Sequence, residues 1–199
     1  MEAALAWIAV VLIVVTSAGL LFAHDWRWSI ILLALQYLGM FILTLQHWPI
    51  GMASVKVVAG WMSAAILGMT RSGLANEPQT DEIIWPRGRM FRLFATATVV
   101  LIAAVATPAV DTVMADAGFP VTNGSLLLIG MGLLHLGISP ELLRVAIALM
   151  TIISGFEVLY AAVEGSVLMA ALLAVINLGL ALVGSYLMIA AAPPETEST

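Results

Sequence analysis

The chain has 199 residues, 62% of them hydrophobic and 10% charged, with mean hydropathy +1.10. Soluble domains carry about a quarter charged residues, so this composition excludes a water-soluble globular protein and points to several membrane spans. The absence of cysteine excludes disulfides and thiolate metal ligands, and the net charge of −5 says little, because nearly half of the charged residues lie in one loop and the tail.

Seven apolar runs predict an all-α integral membrane protein, with spans at 3–23, 28–47, 50–70, 91–110, 123–138, 141–163 and 166–190. Hydrocarbon admits only helices and closed barrels, and these runs are too long for barrel strands. The first span follows Met1-Glu2 with no positive segment before it and is long enough to cross, so it is expected to be retained rather than cleaved. "HDWRW" then separates the first two spans and carries interfacial tryptophans. The second span holds Gln36 and ends at "QHWPIG", which places Pro49 in the first turn of the third, where its missing N–H costs nothing. The third contains Lys56 together with Gly51, Gly60 and Gly68.

The stretch "RSGLANEPQTDEIIWPRGRMFR" (71–92) is the only long polar segment and the natural unit boundary. Its basic end suits either anionic headgroups or an ordinary positive flank. The fifth span is short, contains Gly124, Gly130, Gly132 and Gly137, and carries His135 near one end. In "ISPELLR", Ser139 is the candidate N-cap of the sixth span, with Pro140 at N1 and Glu141 facing the positive helix end. The sixth span carries Glu157 just after Ser154-Gly155, and the seventh carries Asn177, Gly179 and Gly184. Such small residues are expected to let helices approach closely. "PPETEST" reads as a disordered tail.

Arginine placement predicts the orientation. With the N-terminus outside, Arg27, Arg71, Arg87, Arg89, Arg92 and Arg144 all fall on the cytoplasmic side, opposite Asp111, Asp116 and Glu164. The expected location is the cell inner (cytoplasmic) membrane, with the C-terminus inside. The outline admits two three-helix units joined by a linking helix. These are a first unit at 1–72, a cytoplasmic loop at 73–90, a linking helix and outer loop at 91–122, a second unit at 123–192 and the tail at 193–199. The two units share one orientation because the fourth span adds a crossing.

"GLLHLGISPELLRVAIALMTIISGFEVLYAAVEGS", followed by "AVINLGLALVGSYLM", resembles the K-subunit of NADH-quinone oxidoreductase. That family also takes in the C-subunit of multisubunit cation/proton antiporters and the longer E component of membrane-bound hydrogenases. "LLALQYLGMFIL" is similar to the family's second helix, with Gln36 where a glutamate is expected. The resemblance covers 123–190 well and 3–70 loosely. It implies a small subunit beside antiporter-like subunits, lending polar groups to a proton path along the mid-plane. The family's mid-helix glutamates are absent: their slots hold Met150 or Thr151, and Val175 or Asn177. Glu157 lies two turns beyond the first slot, on nearly the same face.

Among ionisable residues within spans, Glu157 and Lys56 stand out. Glu157 lies ~9 Å, and Lys56 ~10 Å, from the same outer surface at 1.5 Å rise per residue. Matched depth in so charge-poor a chain makes them natural partners, either as a titratable pair on an ion path or as a structural staple. Lys56 snorkelling outward is a third reading. Gln36 and Asn177 sit near mid-membrane, where amides glue helices together or hydrogen-bond a water wire. His135 reads first as satisfied packing and second as a relay group. The tryptophans mostly fall near span ends, as interface anchors do.

The leading expectation is a non-catalytic membrane subunit of an ion-translocating (proton or sodium) complex linked to redox or antiport chemistry. Its candidate pathway residues are Glu157, Lys56, Gln36, Asn177 and His135. No cofactor or metal is expected, the partners are other membrane subunits and the bilayer, and nucleic acid is excluded. The alternatives are a stand-alone small transporter and a structural assembly subunit without an ion path.

Overall fold

The computed structural model describes residues 2–74, 88–114 and 117–192. Expectations that concern Trp85, Arg87, Asp116 and the tail lie outside them. Seven helices follow one another: α1 (Glu2–Phe22), α2 (Trp26–Thr44), α3 (Ile50–Gly73), α4 (Arg89–Val113), α5 (Phe119–Ile138), α6 (Leu142–Val163) and α7 (Val167–Ala190). All seven are long and apolar enough to cross a membrane, and no strand occurs among the described residues.

Beyond shifts of a few residues at several helix ends, three junctions are built differently from the sequence reading. The fifth helix begins at Phe119, not 123, because Gly118 turns the chain at φ +78° and Pro120 occupies its first turn. The second three-helix unit therefore takes in 119–122 as well. Ser139 closes α5 instead of capping α6: the residue before a proline is pushed to extended angles, and Ser139 sits at φ −114°, ψ 116°. Glu141 then takes the cap position of α6 without a side-chain capping bond, and its carboxylate accepts from Arg144 Nε at 2.8 Å. Pro49 likewise precedes α3 as its N-cap residue.

The tightest crossings are made by glycines. A Cβ on Gly39 of α2 would meet the side chain of Ile13 at 2.9 Å and the Ala9 carbonyl at 3.4 Å on α1. On Gly155 of α6 it would meet Ile129 at 2.7 Å and the Ser125 carbonyl at 2.8 Å on α5. Each residue of the second contact lies 116 positions after its counterpart in the first. Gly68 against Ile30 and Gly184 against Ala146 repeat the same offset between α3–α2 and α7–α6. Moreover α1 touches α5, α2 touches α6 and α3 touches α7. Trp48 and Glu164, themselves 116 apart, are joined by a hydrogen bond. Two three-helix groups that touch through their own equivalents are the arrangement of parallel repeats about an axis along the membrane normal. Gly179, expected at a crossing, faces open space.

α4 packs against α5 and α1 and turns most of its surface outward, including Phe94, Leu101 and Val105. Thr107 of α4 accepts from Asn123 Nδ2 (3.0 Å), and Asp111 accepts from Thr122 (3.1 Å), so the polar start of α5 is held inside the bundle. At the arginine-bearing face, Arg92 donates to the Leu21 carbonyl at 2.8 Å and Arg144 donates to that of Ala23. Two guanidiniums thus satisfy the carbonyl end of α1, where positive charge is favoured.

Candidate functional site

α3 and α6 bring Lys56 and Glu157 together. Lys56 Nζ donates to Glu157 Oε1 at 2.9 Å, and the two side chains are 1% and 0% exposed. Their positions follow from helix register: each stands about two turns from the same end of the bundle, on the inward face of its helix. The other carboxylate oxygen, Oε2, is buried with no protein partner.

Around this pair lie polar groups that sequence reasoning missed. Tyr37 of α2 is 2% exposed, and its hydroxyl is flanked by Ser154, Asn177 and Glu157, none of them in well-formed hydrogen-bond geometry with it. Its ring lies on Gly60, where any Cβ would fall 2.4 Å from it. Gly60, one turn from Lys56, is therefore the opening through which an aromatic ring reaches the centre. Ser63, a further turn along α3, is fully buried with a free hydroxyl. The available sequence signal for Tyr37 and Ser63 is spacing: Tyr37 follows Gln36, and Ser63 lies seven residues from Lys56 on the same helical face.

Asn177 of α7 is fully buried beside Tyr37, and neither of its amide atoms has a hydrogen-bond partner. Gln36 turns the other way, donating to Ser17 of α1 at 3.2 Å, while its Oε1 stays unpaired. His135, 3% exposed, stands apart near the arginine-bearing end of α5. The structure thus gathers Lys56, Glu157 and Asn177 around Tyr37, places Gln36 at the edge, and leaves His135 outside.

Two tryptophans depart from the anchor expectation. Trp48 is 3% exposed and donates from Nε1 to the Glu164 carbonyl at 3.0 Å. Trp61 stands mid-helix and donates to the Ala34 carbonyl at 3.1 Å, tying α3 to α2. At the end of the bundle where α1 and α5 begin, a depression of about 360 Å³ is lined by Ala3, Ala6, Gln46, His47, Gly118 and Pro120 among others, and by no residue of the central cluster. No three His, Asp or Glu side chains converge on a metal-sized site among the described residues.

Comparison with family models, with curated proteins and with solved structures finds no match to this chain.

Proposed function

We propose that the chain is a subunit of a membrane complex that moves protons or sodium ions, of the respiratory, hydrogenase or antiporter type. In this reading it is non-catalytic and stands beside antiporter-like subunits in the cell inner membrane, N-terminus outside and C-terminus cytoplasmic. The seven membrane-spanning helices provide the setting, and the central cluster carries the reading.

One observation supports it above the rest. Glu157 is paired through one oxygen only, its second oxygen is buried without a partner, and Tyr37 of α2 stands close enough to feel its charge. Each unsatisfied buried polar atom costs about 1–3 kcal/mol. A staple selected for stability would saturate both oxygens, since a buried pair repays its desolvation only when its remaining lone pairs are bonded. Ionisable groups inside a membrane, partnered yet not saturated, fit a place where protons or ions pass.

Purification in mild detergent, followed by identification of co-purifying chains, tests the reading. Long antiporter-like membrane subunits are expected. A chain that purifies alone and by itself moves protons or sodium across liposomes would overturn it.

A further inference from the structure

The surroundings of the Lys56–Glu157 pair differ on its two sides. Toward the outer surface lies a separate apolar cluster of Trp48, Ala161 and Ala170, with Met52 and Tyr160 packed against it. Met52 is one turn before Lys56 and Ala161 one turn after Glu157, so this cluster covers the pair. The Trp48–Glu164 bond ties the end of α2 to the end of α6 across it.

Toward the arginine-bearing face, buried polar atoms without a hydrogen-bond partner stand among the apolar side chains of the main core. Tyr37 and Asn177 come first, then Ser63, ~10 Å inward of Lys56, and Ser185, ~12 Å inward of Asn177, at 1.5 Å per residue. The Oγ atoms of Ser63 and Ser185 are buried with no partner. Most helical hydroxyls in this chain turn back onto a carbonyl of their own helix: Ser154 onto Met150, Thr151 onto Ile147, Thr107 onto Ala103, Thr70 onto Ile66. Ser63 and Ser185 do not take that ready partner. Interhelical glue would show them bonded across a crossing, as Ser125 is to the Gly155 carbonyl at 2.6 Å. Hydroxyls and amides that decline both options match groups that bind water.

We propose that water and protons reach the Lys56–Glu157 pair from the arginine-bearing face alone, along Tyr37, Asn177, Ser63 and Ser185, while the Trp48 cluster closes the outer side. The inference rests on the functional reading above, adding to it a direction of access and a seal. A subunit of this kind loads its carboxylate from one side and hands the proton on sideways, to a partner, rather than straight through.

The chain has no cysteine, so single replacements report cleanly. Ser63→Cys, Ser185→Cys and Ala161→Cys are placed one at a time in the assembled complex, in sealed vesicles of uniform orientation. Silver ion in nitrate buffer, a thiol probe of hydrated-ion size, is added to one side, and protection against later maleimide alkylation is read. Ser-to-Cys exchanges a single atom, and either serine position alone decides the inner path. The expected result is protection at Ser63→Cys and Ser185→Cys from the arginine-bearing face and not from the other. Ala161→Cys should stay unprotected from the outer face until Trp48→Ala is added. Serine positions protected from neither face, or from both, would overturn the proposal. So would protection of Ala161→Cys from outside with Trp48 in place. Silver access reads hydration, not transport: an accessible path with ion movement intact in the assembled Lys56→Met, Glu157→Gln double variant would sink the functional reading and leave the path standing. Ion movement lost in that assembled double variant, with no silver access, would sink the path alone.

Discussion

Glu157 accepts from Lys56 with one oxygen and keeps the other buried without a partner. Removing one member of such a pair leaves an uncompensated buried charge or an unpaired carboxylate, which costs ~3–5 kcal/mol. Glu157→Gln or Lys56→Met alone should therefore lower the thermal stability of the assembled protein sharply, read as loss of the intact complex on heating in detergent. Either variant assembling with unchanged stability would show that the charge is relieved elsewhere. The pair was legible in the sequence because helical rise is constant, so counting residues from Pro49 and from Val163 gives depth directly. Tyr37, Ser63 and Trp48 were not, since depth does not give rotation. Which face of α2 looks inward is decided by Gly39 meeting α1 and by Tyr37 lying on Gly60.

Among the elements, α5 and α6 make the closest crossing, and it is close because backbone meets backbone. A methyl group on Gly155 would fall 2.8 Å from the Ser125 carbonyl and 2.9 Å from the Ile129 nitrogen, neither of which can swing aside. Gly155→Ala should force the helices apart and destabilise by about 1–3 kcal/mol, the range for overpacked cores. Gly179→Ala, with open space around it, should leave stability unchanged or slightly raised through helix propensity. Thermal scans of the two variants side by side check this; equal effects would contradict the packing described. The helices themselves were plain in the sequence, because long apolar runs admit no other structure in hydrocarbon. Their ends were less so. Ser139 resembled an N-cap by residue type, but Pro140 had already fixed its backbone as extended. The repeat at 116 residues was visible only as an outline, since the units preserve glycine contacts and helix ends while most side chains differ.

For the whole molecule, seven crossings would put the termini on opposite sides, and the proposed orientation has the arginines facing the cytoplasm. Reporter fusions at residues 1 and 199 should place the first outside and the second in the cytoplasm; both ends on one side would be incompatible with seven crossings. In the proposed function the Lys56–Glu157 pair serves ion movement rather than only holding α3 to α6. Combining Lys56→Met with Glu157→Gln removes both charges together, so assembly should return where either single change impairs it. The decisive measurement is ion movement by that double variant in the assembled complex, reconstituted in sealed vesicles. Assembly recovered with ion movement lost is the predicted result, and recovery of both would make the pair a staple and nothing more.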